Sequence, residues 1–137
     1  MKAELIIPRK DWKRYGIKKY RVFRTCCLYV FHVVYCDNIG AVRNSPHFLE
    51  TYGDEFDCDG CTGLTCHYAS VYPISIFISE PEVGIIAHEA FHAVKAFYMA
   101  SHIDLPLADE SNELFAYTIQ ELVQNIVSTI GRKSIIL

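Results

Sequence analysis

The alternation of hydrophobic and polar residues predicts strands in the first part of the chain. Residues 21–35 are rich in β-branched and aromatic side chains, which favours two strands or one long bent strand over a buried helix. Ile74 to Ser79 alternates apolar and small polar residues, as a half-buried strand does. Shorter strands are predicted at Leu5 to Pro8 and from Thr65 towards Tyr72, with a helical turn at His47 to Tyr52.

Two helices are predicted in the second part of the chain. Residues 83–100 contain no proline and follow Glu80-Pro81-Glu82, an acidic turn with a proline near the helix start. The second helix starts near Glu110, with Asp109 as its N-cap, and Gly131 ends its periodic run. Its apolar stripe is Phe115, Ile119, Leu122 and Ile126, and its polar stripe is Glu113, Tyr117, Gln120 and Gln124.

The first of these helices carries a metal-binding pattern. His88 and His92 are four residues apart, so both imidazoles lie on one helix face and can point at one ion. Glu89 lies between them, which completes the H-E-x-x-H pattern of zinc hydrolases. The alternative is a core helix that happens to carry two histidines. The strand and the proline turn before the helix favour the metal site.

A catalytic zinc site has three protein ligands and one open position, so a third ligand must come from further along the chain. Glu113 is the predicted ligand, because it stands at the head of the polar stripe. Asp109 and Glu110 are the competing candidates, and all three acids could instead complement the helix dipole. Tyr117, one turn after Glu113, is predicted to support a ligand or to donate a hydrogen bond to an oxyanion.

The residues from His88 to Val94, followed by Asn112 to Tyr117, resemble the gluzincin branch of the zincin metallopeptidases. The pattern is most similar to minimal gluzincins and to small metallopeptidase-like proteins of phages and prophages, and it covers residues 74–126. The resemblance implies a catalytic Zn²⁺ held by His88, His92 and Glu113, with Glu89 as the general base. It also implies a zincin-like α+β fold, in which a small twisted, mainly antiparallel sheet packs on the active-site helix and on a C-terminal glutamate helix.

The composition bounds the class of protein. With 51% hydrophobic residues, residues 1–137 are expected to form one domain with one core, which the resemblance makes a minimal zincin-like metallopeptidase domain. The longest apolar stretch, Cys26 to Cys36, is too short to span a bilayer, and the start of the chain shows no signal peptide. The expected location is the cytoplasm, that of the host cell if a phage encodes the protein, and no membrane partner is expected.

Charge is unevenly distributed along the chain. Residues 1–24 hold nine bases and two acids, whereas the remainder holds four bases and fourteen acids, and the total is −3. A basic block of this kind could bind nucleic acid or an acidic partner. The favoured interpretation is a solvated strand and turn whose bases pair with acids of the same chain, so nucleic acid is the less favoured partner.

A cysteine-rich loop offers a second candidate metal site. Cys58 and Cys61 have C-x-x-C spacing, and Cys66 and His67 follow closely. A second, structural Zn²⁺ at these four residues is the less favoured interpretation, because the adjacent Cys66 and His67 cannot easily reach one tetrahedral ion. The favoured one is a loop of reduced thiols. His32, within the apolar segment, is predicted to be a core histidine and not a ligand.

The sequence therefore predicts a zinc-dependent metallohydrolase, a peptidase in which Glu89 takes a proton from a metal-activated water. Its partner would be a polypeptide substrate. The alternative is a catalytically weak or inactive zincin-fold module that regulates a partner by binding protein or nucleic acid.

Overall fold

The computed structural model describes residues 5–24, 29–58, 60–67, 73–101 and 112–137. These residues form an α+β structure with one sheet and four α-helices, as expected for the class. The elements in chain order are β1 (Ile17–Arg24), β2 (Val30–Cys36), α1 (Ile39–Arg43), α2 (Pro46–Tyr52), β3 (Gly63–Cys66), β4 (Ile74–Ile78), α3 (Val83–Ala100) and α4 (Asn112–Ile130). Short 3₁₀ helices cover Arg9–Asp11, Lys13–Tyr15 and Arg132–Ser134.

The sheet is mixed and has the strand order β1-β2-β4-β3. β1 pairs antiparallel with β2, and β3 pairs antiparallel with β4, while the central pair of β2 and β4 is parallel. The chain between β2 and β4 contains α1, α2 and β3, which is long enough for the crossover that a parallel pair requires. β3 is therefore an edge strand, with no strand on its outer side among the described residues.

One face of the sheet packs against α3 and α4. The side chains that alternate along β4 towards this face are Ile74, Ile76 and Ile78, and all three are fully buried. They meet the apolar stripe of α4, in which Leu122 and Ile126 are also fully buried. This stripe was predicted from its helical spacing, and its burial fixes which side of α4 faces the core.

The opposite face is covered by the N-terminal segment, α1 and α2. Phe77 of β4 points this way and contacts Phe48 of α2, with ring centroids 5.5 Å apart. Tyr52 donates a hydrogen bond from its hydroxyl to the Pro73 carbonyl at 2.7 Å. Because both faces are covered, all five residues of β4 are buried, as is usual for a central strand with a parallel neighbour.

Most of the predicted elements are confirmed. Residues 21–35 contain parts of two strands, and the strand from Ile74, the helix over 83–100 and the helical turn ending at Tyr52 are present. Asp109 and Glu110, the competing candidates for the third ligand, lie outside the described residues.

The strand predicted at Leu5 to Pro8 is wrong. Side chains satisfy the backbone groups there in place of a neighbouring strand. The Ile6 N–H donates to the Tyr20 hydroxyl at 3.0 Å, and the Ile7 carbonyl accepts from Trp12 Nε1 at 2.9 Å. Proline at position 8 has no N–H to contribute to a ladder.

The C-terminal tail docks beside the start of α3. Gly131, with φ of 101°, ends α4 and turns the chain. The Ile136 carbonyl then accepts from the Val83 N–H at 2.9 Å, and the Ile136 N–H donates to the Pro81 carbonyl at 2.8 Å. The first of these bonds satisfies the Val83 N–H, the first of α3, which has no partner within the helix. Within the described residues, no helix is both long and apolar enough to cross a membrane.

Candidate metal centre

The two histidines of the H-E-x-x-H pattern converge. His88 Nε2 and His92 Nε2 lie 3.1 Å apart, and the ring centroids are separated by 4.7 Å. Both residues are exposed, on the face of α3 opposite the core residues Ala90, Val94 and Phe97. The burial of that apolar face therefore directs both imidazoles outward, in the same direction.

Glu89 has a different environment from the two histidines. Its side chain is only 8% exposed, whereas that of His88 is 67% exposed. The Thr65 hydroxyl lies 2.9 Å from Glu89 Oε1, to which it can donate, and 3.2 Å from the Glu89 backbone carbonyl. The other carboxylate oxygen, Oε2, lies 3.9 Å from His88 Nε2. One carboxylate oxygen is thus fixed by β3, and the other is directed towards the imidazoles.

Gly63 allows β3 to approach α3 this closely. A Cβ atom at position 63 would lie 2.8 Å from Glu89 Cγ, 2.8 Å from Glu89 Oε2 and 2.8 Å from Ile85 Cγ2. These distances are shorter than van der Waals contact, so any larger residue would displace the Glu89 carboxylate or the strand. Gly63 and Thr65 thus determine the position of Glu89, although neither belongs to a recognisable motif in the sequence.

A cleft of about 360 Å³ separates β3 from α3. Its lining residues are Gly63, Leu64, Thr65, His67, His88, Glu89, His92, Lys95, Ala96 and Met99. A larger hollow of about 480 Å³, between α1 and the cysteine loop, contains no histidine among its described lining residues. We place the candidate site in the smaller cleft, because the imidazoles and the buried carboxylate meet there.

His67 lines this cleft and lies apart from the thiols. Burial lowers the pKa of His67, which favours the neutral imidazole. Its neighbour Cys66 points to the other side of β3 and packs with Cys36 and Cys58, all three being buried free thiols. Adjacent residues of a strand face opposite ways, so the four predicted ligands of a structural zinc ion do not share one location.

Glu113 lies in the first turn of α4 as the structure describes it, and its side chain is exposed. The neighbouring Phe115 packs on α3, with ring centroids 5.9 Å from Phe91 and 5.4 Å from Tyr98. Since a helix turns about 100° per residue, Glu113 projects from the side of α4 opposite Phe115. Tyr117 is also on this outer side and is 63% exposed. The roles of Glu113 and Tyr117 stay predictions.

The donor set fits part of a zinc site. Imidazole nitrogen is a common zinc ligand, and two such nitrogens face one another at the surface of the cleft. Within the described ranges, no group of three or more His, Cys, Asp or Glu side chains is placed to hold an ion. The described residues therefore offer two candidate ligands and a nearby carboxylate, and a zinc site here would need a third ligand that moves in with the ion or comes from outside those ranges.

His32 illustrates a histidine without such a role. It is 1% exposed, and its Nδ1 lies 2.7 Å from the Tyr20 hydroxyl. Burial lowers its pKa to about 4. The prediction of a core histidine is confirmed.

The comparisons with known proteins give no relative from which a role could be transferred. No protein-family model, curated protein or solved structure matches this chain.

Proposed function

We propose that this protein is a zinc-dependent hydrolase that cleaves peptide bonds, with a zincin-like site of the gluzincin type. The observation that carries the proposal is the 3.1 Å approach of His88 Nε2 and His92 Nε2 beside a buried carboxylate. Two exposed imidazoles beside a buried carboxylate are the groups that a zinc-bound water and its base would require.

In this proposal His88 and His92 hold the ion, and Glu113 moves in with it as the third ligand. Bound Zn²⁺ would lower the pKa of a water to about 7 and polarise the substrate carbonyl. Glu89 would accept a proton from that water and deliver it to the leaving amine. Its position supports this role, since Oε2 points towards the imidazoles and Oε1 is held by Thr65. An ion bound only for structure would not need a carboxylate placed in this way.

The edge strand β3 is the reason for proposing a polypeptide substrate. β3 forms one wall of the cleft and pairs with β4 on its inner side. The described residues provide no strand on its outer side, so an extended peptide can add there through backbone hydrogen bonds. A peptide bound in this way would pass Glu89, because Thr65 of the same strand contacts that residue.

The deciding experiment compares zinc content and peptide cleavage in wild type and Glu89→Gln. We expect one zinc ion per chain in both proteins and cleavage of a peptide library by wild type alone, because glutamine cannot accept the proton. Glu50→Gln, an exposed substitution on α2, is the matched control and should behave as wild type. Failure to bind zinc, or equal cleavage by wild type and Glu89→Gln, would contradict the proposal. Zinc binding without any cleavage would favour the binding module instead.

A further inference from the structure

The cleft continues beyond the two histidines along α3. Lys95 follows His92 by three residues, and Met99 follows it by seven, so all three lie on one side of the helix. Both Lys95 and Met99 line the same cleft as His88 and His92. The H-E-x-x-H pattern therefore occupies one end of a longer binding surface, whose other end carries a lysine.

Lys95 is available for a ligand. It is exposed, and the described residues provide it with neither an ion pair nor a hydrogen bond. The acid among the described lining residues is Glu89, which is bonded to Thr65 and lies six residues earlier on the helix, about 9 Å along its axis. Among the described lining residues, this end of the cleft therefore carries a positive charge, although the whole chain has a net charge of −3.

The surroundings of Lys95 fit an acidic side chain. Ala96 and Met99, on the same helix, contribute apolar surface to this end of the cleft. Methylene groups of a bound glutamate can pack on that surface while its carboxylate reaches the Lys95 ammonium. An ion pair that is partly shielded by the walls of a cleft is stronger than one in open water. The half-buried His67 lines the same cleft and can donate a further hydrogen bond from its neutral imidazole.

The direction of β3 gives the position of that side chain in the substrate. Gly63 lies beside Ile85 and Glu89, and Thr65 contacts Glu89, while His67 lines the cleft that extends to Met99. β3 therefore runs alongside α3 in the same direction. A peptide that pairs antiparallel with β3 runs the opposite way, so its N-terminal side lies near Lys95. Lys95 is about 4.5 Å beyond His92 along the helix, or one to two residues of extended peptide.

Building on the proposed function, we propose that the substrates are acidic peptides, with Asp or Glu one or two residues N-terminal to the cleaved bond, recognised by Lys95. This assigns a substrate class to the cleft. It also assigns a specificity role to a lysine that belongs to no motif.

The first test measures binding without cleavage. The full chain carrying Glu89→Gln, loaded with zinc, is titrated with fluorescent alanine–leucine hexapeptides that carry Glu, Gln or Lys at each position in turn. We expect Glu to improve the affinity over Gln about fivefold at one or two positions, as for a well-placed ion pair. Adding Lys95→Met should abolish this preference, and Lys95→Glu should reverse it in favour of Lys. Lys133→Met removes the same charge from the C-terminal 3₁₀ helix and should preserve the preference.

The second test uses the zinc-loaded wild type with the same peptides and locates the cleaved bonds by mass spectrometry. We expect an acidic residue on the N-terminal side of the cleaved bond. Lys95→Met should raise KM for acidic peptides and leave the zinc content unchanged. Equal affinity for Glu and Gln peptides, a preference that survives Lys95→Met, or no measurable binding by any peptide would overturn the inference. Binding of acidic peptides without cleavage would refute the hydrolase alone, and cleavage of all peptides without preference would refute the subsite alone.

Discussion

The histidines of α3 and the histidine of β2 lie in contrasting environments. His32 is buried, and its Nδ1 is engaged by the Tyr20 hydroxyl at 2.7 Å. Since that hydroxyl accepts from the Ile6 N–H, its own proton is free to be donated to Nδ1, and we assign the neutral ring with its proton on Nε2. His88 and His92 are exposed, with their Nε2 atoms facing one another. Only the second arrangement leaves lone pairs accessible to an ion.

The two arrangements also differ in what holds the imidazoles. His32 is positioned by a partner that consumes its hydrogen-bonding capacity, so its contribution is to stability. The α3 pair is positioned by the burial of the opposite helix face, which requires nothing from the rings themselves. Substitutions at the two places should therefore affect different properties of the protein.

The largest expected difference is in zinc affinity. His92→Ala removes one of two converging ligands and should weaken zinc binding by more than the 10–100-fold that is usual for a residue hydrogen-bonded to a ligand. Since His92 is exposed, the stability of the metal-free protein should change by less than about 0.5 kcal/mol. Competition with a chromophoric chelator measures the affinity, and urea unfolding measures the stability. If zinc affinity were unchanged, His92 would not be a zinc ligand.

The pH dependence of stability should come from the buried histidine. Burial lowers the pKa of His32 to about 4, against 6.5 for an exposed histidine, so the unfolded chain binds more protons between these values. Stability contributed by the neutral ring is complete above pH 6.5 and is lost as the pH falls towards 4, by about 3 kcal/mol. Urea unfolding of the metal-free protein at pH 7, 5.5 and 4.5 measures this change.

His32→Gln is the matched variant for this measurement, because it keeps a polar side chain but cannot titrate. It should lower stability at pH 7 and reduce the slope between pH 7 and 4.5. If wild type and His32→Gln lose stability equally on acidification, His32 is not the group responsible. Zinc affinity at pH 7 should be the same in both proteins, as the comparison with α3 requires.

A smaller effect is expected at the strand that holds Glu89. Gly63→Ala would bring a Cβ atom within 2.8 Å of Glu89 and Ile85, and overpacking of this kind costs about 1–3 kcal/mol. Hydrolysis should fall together with stability, because the Glu89 carboxylate has to shift, while zinc remains bound by the histidines.

Gly84→Ala is the control for this substitution. It lies within α3, where its Cβ atom would make only an ordinary contact, 3.5 Å from Glu82 Oε1. Replacing glycine by alanine within a helix should be neutral or stabilising by up to about 1 kcal/mol. If Gly63→Ala behaved in the same way, β3 would not constrain Glu89.

Local sequence patterns predicted the parts of the site that lie on one element. The spacing of His88, Glu89 and His92 determines their relative directions once the segment is a helix, and the proline turn marks where α3 begins. The apolar stripe of α4 was likewise predicted from its period. For His32, the apolar setting within a strand was enough to predict a core role.

The contacts between elements could not be predicted in the same way. Thr65 and Gly63 approach Glu89 because β3 forms the edge of the sheet beside α3, and this depends on a parallel crossover that no local pattern specifies. The prediction of a strand at Leu5 to Pro8 failed for the same reason. The backbone groups there are satisfied by side chains of Trp12 and Tyr20, and local sequence does not show such contacts. Which groups meet across elements is a property of the packed fold.

The smallest expected effects compare two hydroxyl groups. Thr65 holds the Glu89 carboxylate at 2.9 Å, and Tyr20 holds the His32 ring at 2.7 Å. Thr65→Val keeps the shape of the side chain but removes its hydroxyl. Losing one hydrogen bond to a charged group costs about 1.5–3 kcal/mol in a site from which water is excluded. Because water can replace the hydroxyl beside the cleft, we expect about a tenfold loss in kcat, with zinc affinity and KM unchanged.

Tyr20→Phe should behave in the opposite way, lowering stability by about 1 kcal/mol and leaving hydrolysis unchanged, because it leaves the buried His32 without its partner. The two variants remove one oxygen atom each, so their different effects would come from location alone. Peptide cleavage kinetics and urea unfolding on both variants measure this difference. If Thr65→Val lowered stability and left kcat unchanged, Thr65 would only be packing β3 on α3, and the orientation of Glu89 would need another cause.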